Sequence, residues 1–254
     1  MRISILTIFP DFFPPALAEG MIRAAREKGR LAVDVVPLRE FTDDTHRSTD
    51  DYPFGGGVGM IMKIDPIARA LESLQAGSRA ERPSDCRVVL LSPQGRLLTQ
   101  RLAIEYAGLS HLVLVCGRYK GVDERVSDHL IDEELSLGDF VLSGGEPAAL
   151  CVADAVARLL PGVVGDSDSV ESDSFHSGIL DAPYYTRPAE YRGWGVPEVL
   201  LTGNHAGIAR WRREQALRRT FERRPDLLEG AELSAEDRRF LRELERERSA
   251  REPR

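Results

Sequence analysis

Three short glycine-bearing stretches carry the residues best suited to holding a small ligand: "LLSPQG" ending at Gly95, "CGRYKG" from Cys116 to Gly121, and "SLGDFVLSGGE" from Ser136 to Glu146. Without a Cβ, glycine lets the backbone take left-handed angles and approach a ligand closely. None of the three is a phosphate cradle, which would follow its glycines with a lysine and a hydroxyl. Here Glu146 and Pro147 follow Gly144 and Gly145, and a carboxylate repels a phosphate. The expected ligand is therefore gripped by something other than phosphates. Backbone amides and carbonyls suit an adenine edge and a ribose, and Asp139 and Glu146 are carboxylates that would tolerate a cation. S-adenosylmethionine has these parts and no phosphate, although the loops alone fit other adenosine ligands as well.

Other chemistries find little support. Cys86, Cys116 and Cys151 are too far apart for a CxxC metal or redox site, and their apolar neighbours predict reduced, buried thiols. The five histidines are scattered without ligand spacing, so no metal site is expected. A hydrophobic content of 42% with 30% charged residues describes an ordinary soluble chain. The net charge of −7 leaves room for a nucleic-acid partner, because phosphate binding depends on a local basic face. "MRISILTIFP" lacks a signal peptide's apolar stretch and cleavage site, and no segment approaches a membrane span. The expectation is a cytoplasmic protein without membrane contact.

The elements that must position these loops alternate. Apolar runs ("ISILTIF", "LAVDVVPL", "CRVVLLSP", "HLVLVCG") are separated by helix-like stretches ("FFPPALAEGMIRAAREKG", "PIARALESLQ", "TQRLAIEYAG"), which predicts an α/β fold with a mainly parallel sheet covered on both faces. The three glycine loops follow three late strands. In such sheets ligands bind beyond the carboxyl ends, so one shared pocket is expected. "EPAALCVADAVARLL" reads as a helix opened by Pro147 and closed by Pro161 and Gly162. The chain divides into a domain over 1–162, an acidic linker over 163–176 and a helical domain over 177–254. In the last, a helix capped by Asn204 runs to Pro225, with Ile208, Trp211 and Phe221 expected on its buried face and Leu217 at the margin. Arg210, Arg212, Arg213, Arg218, Arg219 and Arg223 crowd the rest.

In order, "YPFGGGVGMIMK", "LLSPQG", "CGRYKGVDER", "SLGDFVLSGGE", "ARLLPGVVG", "DSFHSGILDAPYYTRP" and "VPEVLLTGNHAGIARWRREQALRRT" closely resemble the bacterial tRNA (guanine-N1)-methyltransferases, the TrmD family, over roughly residues 1–230. The resemblance implies a SPOUT-class homodimer whose parallel sheet ends in a deep C-terminal trefoil knot, followed by a small, mainly helical tRNA-binding domain. It implies methyl transfer from S-adenosylmethionine to N1 of the guanosine at tRNA nucleotide 37, just 3′ of the anticodon. Asp173 aligns with the family's general base and Arg158 with its catalytic arginine. The donor-binding positions align with Ser92, Pro93 and Gly95, with Gly117 and Tyr119, and with Leu137, Gly138, Asp139, Phe140, Val141, Leu142, Gly144 and Gly145. Gly59, Asp181, Tyr185, Arg187 and Asn204 fall in motifs associated with the RNA substrate. Lys120 departs from the pattern, standing where family members generally carry glutamate, and this charge reversal leaves the family's magnesium requirement open here.

The chemistry so implied is demanding. Guanine N1 carries a proton at neutral pH, and an ordinary aspartate, with a pKa of about 3.9, is a weak base for it. A cation beside guanine O6, the role implied for Arg158, would stabilise the charge that develops as the proton leaves. A non-catalytic RNA-binding module of the same fold, and a knotted methyltransferase for another RNA nucleotide, are the competing readings.

Overall fold

The computed structural model describes residues 1–77, 79–80, 82–165 and 173–251. It separates into two compact units, Met1–Gly165 and Asp166–Arg254. Residues 166–172, the middle of the expected linker, lie outside the described residues. Val163, at its start, is buried in the first unit, where Lys28 Nζ donates to the carbonyls of Gly162 and Val163 at 3.0 and 2.8 Å.

The first unit runs β1 (Arg2–Thr7), α1 (Pro14–Leu17), α2 (Gly20–Glu27), β2 (Ala32–Pro37), β3 (Asp50–Asp51), β4 (Ile61–Met62), α3 (Ile64–Ser73), β5 (Cys86–Leu97), α4 (Gln100–Ala107), β6 (His111–Cys116), α5 (Glu124–His129), β7 (Glu133–Ser136) and α6 (Glu146–Ala157). The main sheet has the order β2-β1-β6-β5-β7, with every pair parallel. Successive side chains of a strand point to opposite faces, so each strand feeds two cores. Ile3, Ile5, Val89 and Leu91 pack with Ile22 of α2, Leu102 of α4 and Val152 of α6. Leu6, Val88, Leu90 and Val113 pack with Ile67 and Leu71 of α3 and Val126 of α5. This is the doubly covered parallel sheet expected from the apolar runs. The first helix-like stretch is broken, because Gly20 at φ +61° turns the chain between α1 and α2.

One expectation fails within this unit. Cys86 and Cys116 are buried, but Cys151 is exposed. Helix α6 buries Ala148, Ala149, Val152 and Val156, and helical periodicity puts Cys151 on the opposite side with exposed Asp154.

The second unit contains a small ribbon, β8 (Glu190–Tyr191) with β9 (Trp194–Gly195), and the helices α7 (His205–Arg223) and α8 (Ala235–Arg251). Asn204 caps α7 as expected, its Oδ1 accepting from Gly207 N at 3.1 Å, and the helix ends before Pro225. Its buried face differs from the expected one. Ala216, Leu217, Thr220 and Phe221 point inward, while Ile208 and Trp211 are only half-buried. Leu217, expected at the margin, is central and packs with Ile179, Leu241 and Leu244. Thr220 is sealed in this core because its hydroxyl is satisfied twice, accepting from Leu180 N at 2.9 Å and donating to Ala216 O at 2.8 Å.

The arginines of α7 are also not simply a solvated face. Arg213 makes a two-pronged bond to Asp237 at 3.1 and 2.9 Å. Arg210 and Arg218 face Glu236 and Glu247 of α8 at 3.7 and 3.6 Å, and Arg219 donates to the Asp181 carbonyl at 3.4 Å. Among the described residues no helix is long and apolar enough to cross a membrane.

The Arg213 bond holds the Asp237 carboxyl below its ordinary value of 3.8, against the opposing effect of burial. A lowered folded-state pKa adds stability that is complete above the unfolded value and fades as pH falls through the folded one. Both tryptophans, Trp194 and Trp211, lie in this unit, so their fluorescence reports on it alone. The tryptophan-detected urea midpoint should fall as pH drops below 3.8. Asp237→Asn should lose about 1 kcal/mol at neutral pH, a value discounted for the half-exposed arginine, and flatten that acid dependence.

Candidate functional site

Leu91 of β5 is in register with Cys116 of β6 and with Leu135 of β7. The three chains therefore leave the sheet at one height, and their loops meet. They enclose a cavity of about 340 Å³, within the usual range for a small-molecule site. Ser92 and Pro93 line it from the first loop, and Gly117 and Tyr119 from the second. Leu137, Gly138, Phe140, Val141, Leu142, Gly144 and Gly145 line it from the third. Of the donor-binding positions aligned above, Gly95 and Asp139 are outside the lining.

Gly95 acts instead by close approach. Leu91 and Arg96 of β5 both pair with Leu135 of β7, so Ser92–Gly95 loops out of the sheet and returns. A Cβ on Gly95 would lie 2.3 Å from the Glu134 carbonyl carbon and from Leu135 N. Gly145 is equally confined, since a Cβ there would sit 2.7 Å from Cys116 Cα, and its N–H donates to Gly117 O at 2.9 Å. Backbone thus packs directly on backbone between the second and third loops. Tyr119 adopts φ +59°, and its ring is half-exposed beside the cavity.

Glu146 does not face the ligand as expected. It is 2% exposed and turned inward, where Oε1 accepts from Thr7 Oγ1 at 2.8 Å and Oε2 lies 3.4 Å from Arg118 Nη1. Asp139 is exposed. Burial, and then the charge of Glu146, push the Cys116 thiol well up, leaving it an inert neighbour. Arg118 and Thr7 are the partners of Glu146 that sequence reasoning missed. A threonine in an otherwise apolar strand end was the available signal, because a buried hydroxyl requires a partner.

The charged side chains lining the cavity are Arg118, Lys120 and Glu124. Two cations and one acid do not fit a magnesium site, which needs oxygen ligands. Among the described residues no group of three or more His, Cys, Asp or Glu could hold a metal ion. A ligand bearing a carboxylate fits better. Lys120 also supports a neighbouring loop: its N–H donates to Met60 O at 3.2 Å, and a Cβ on Gly59 would lie 3.0 Å from Lys120 Cγ. The ribbon of β3 and β4, whose connection holds Gly55, Gly56, Gly57 and Gly59 at positive φ, is laced to the second loop by this contact. Met62 N donating to Gly121 O at 3.0 Å adds to it.

Arg158 follows α6 as its C-cap, half-buried, with its N–H donating to Asp154 O at 3.3 Å. Asp173 belongs to the second unit and is half-buried there. Asp181 is turned onto its own segment, Oδ1 accepting from Ala182 N at 2.6 Å and from the Tyr184 hydroxyl at 3.2 Å. Tyr185 and Arg187 line a separate cavity of the second unit, and Asn204 serves as the α7 cap.

A parallel α/β sheet with three glycine-bent loops folded over one hollow at its carboxyl edge defines an α/β protein built to hold a small ligand. Residues 1–230 match the family model for tRNA (Guanine-1)-methyltransferase TrmD, and the chain belongs to that family. It is 52% identical over 253 residues, all of both chains, to the tRNA (guanine-N(1)-)-methyltransferase of Moorella thermoacetica. The enzyme of the same name from Koribacter versatilis is 50% identical, covering 96% of this chain and 98% of the relative. That of Geobacillus kaustophilus is 49% identical, covering 98% of this chain and all of the relative.

Gly95→Ala should destabilise the first unit by about 3 kcal/mol, because backbone rather than a pliable side chain meets the new methyl. It should also weaken binding of S-adenosylmethionine by calorimetry. Gly165→Ala is the matched control: among the described residues nothing lies within 4 Å of its Cβ position, and both properties should stay unchanged.

Proposed function

We propose that this chain transfers a methyl group from S-adenosylmethionine to N1 of guanosine at tRNA nucleotide 37, working as a cytoplasmic homodimer. The match of residues 1–230 to one methyltransferase family carries the reading, and the cavity of glycine-bearing loops supports the donor. In this reading residues 1–162 bind the donor within a trefoil knot, 163–176 connect the units and carry Asp173, and 177–254 engage the RNA.

The donor supplies the methyl group; the chain's residues do the rest. The backbone of the three loops holds the adenosine, with Lys120 and Arg118 available to its carboxylate. Asp173 accepts the N1 proton, and Arg158 stabilises negative charge growing toward O6. Extracting the target from a stacked loop costs a few kcal/mol, which contacts from the second unit offset. Self-association is supported by a hollow of about 600 Å³ beside the donor site, lined by Phe9, Phe12 and Leu142, with both phenylalanines more than 40% exposed.

Labelled methyl should pass to tRNA transcripts with guanosine at nucleotide 37 and not to those with adenosine there, and digestion should yield 1-methylguanosine. Donor and tRNA binding without transfer would favour a non-catalytic RNA-binding module instead. Asp173→Asn should lower turnover by roughly 100-fold or more while leaving donor affinity intact. A normal rate in that variant removes the base assignment. Lys120→Glu, which installs the residue the family generally carries, should change donor affinity or create a response to magnesium; no change in either would show Lys120 to be passive.

A further inference from the structure

The second unit has a cavity of its own, of about 370 Å³, which the donor chemistry does not use. Its floor is apolar, from Leu200 and Ile208, and its walls are Tyr184 and Tyr185, exposed at 60% and 50%. Arg187 and Arg212 are the charged residues of the lining, which contains no acidic residue. Among the described residues neither arginine has a carboxylate within ion-pair distance, whereas Arg210, Arg213 and Arg218 on the same helix as Arg212 all do. The Arg212 guanidinium lies 5.4 Å from the centroid of the Tyr184 ring.

The aromatic walls are held in place before any ligand arrives. Tyr185 leans on Trp211, with centroids 6.4 Å apart at 50°. The Tyr184 hydroxyl donates to Asp181, whose own N–H donates to Ser174 Oγ at 3.0 Å and whose carbonyl accepts from Arg219. Rings fixed in this way lose little freedom on binding.

We infer that this cavity takes one unstacked nucleobase from the loop of the RNA substrate, other than the methylated guanosine, stacked on Tyr184 or Tyr185, with Arg187 and Arg212 meeting the flanking phosphates. Every base has a π-face, so aromatic walls accept one without reading its edge, and guanidinium groups match both phosphates and stacked rings. An acidic ligand without a ring would leave the tyrosines and the apolar floor unused. The inference rests on the tRNA reading above and names where a second nucleotide of that RNA goes.

The test uses the full chain and an anticodon stem-loop RNA carrying 2-aminopurine at each loop position in turn, the target guanosine excepted. One position should change fluorescence on binding. Tyr184→Leu with Tyr185→Leu, and separately Arg212→Gln, should abolish that signal and weaken RNA binding roughly tenfold to hundredfold. Binding of S-adenosylmethionine should be unaffected. Should the double variant misfold, seen as lost helical circular dichroism, Arg212→Gln and Tyr185→Phe decide the matter, the latter keeping the ring and the signal. Weaker RNA binding with no responsive position would mean a phosphate contact only and overturn the base pocket, as would full affinity in all variants. A position-specific signal without methyl transfer would keep the pocket and sink the enzymatic reading. Normal transfer with no signal would do the reverse.

Discussion

A carboxylate sealed inside an apolar protein is tolerated only when its charge and lone pairs are met, and Glu146 meets that condition with two partners from distant parts of the chain. Thr7 closes the end of β1, Arg118 sits in the loop after β6, and Glu146 opens α6. One buried group therefore ties the first strand of the sheet to two of the three loops that shape the cavity. Arg118 is braced on its other side by the Phe9 ring, 4.4 Å away. Removing Arg118 would leave the Glu146 carboxylate buried without its counter-charge, and removing Thr7 would cost it a hydrogen bond. The direct backbone contact of Gly145 with Cys116 works in the same direction, because side chains cannot intrude where the loops touch.

The two units use charge differently. In the first, buried charge organises a cavity. In the second, where the buried apolar cluster is small, arginines join α7 to α8 and to the segment around Asp181, supplementing hydrophobic burial. Because those arginines are paired within the unit, the arginine-rich composition of α7 overstates how much of the helix is left to face a partner. Composition counts cations; geometry decides which of them still have an electric field to offer.

Much of the architecture was legible in the chain. Apolar β-branched runs announce strands buried on both faces, Asn204 and Pro225 bracket α7, and Pro147 leads α6, all through local rules that tertiary packing left in force. The shared cavity was legible too, because glycine loops after parallel strands converge by topology. Contacts that join distant residues were not. Nothing near Thr7 in the sequence points to Glu146. Nothing in "LLSPQG" shows that β5 re-enters the sheet after the loop. Leu217 rather than Trp211 anchors α7 because α8 and Ile179 pack at that end of the helix, a fact no single-helix periodicity contains. Cys151 shares the apolar composition of α6 yet faces outward, on a side of the helix that Asp154 alone marks as polar.

The common height at which β5, β6 and β7 leave the sheet constrains how this chain can change over time. Adding or deleting one residue within any of these strands moves its loop by about 3.3 Å and reverses which core each side chain enters. Substitutions can be absorbed one at a time, but a change of length in one strand has no compensating partner in the others. Drift in these strands is thus confined to residue identity, and changes of length fall to segments outside them.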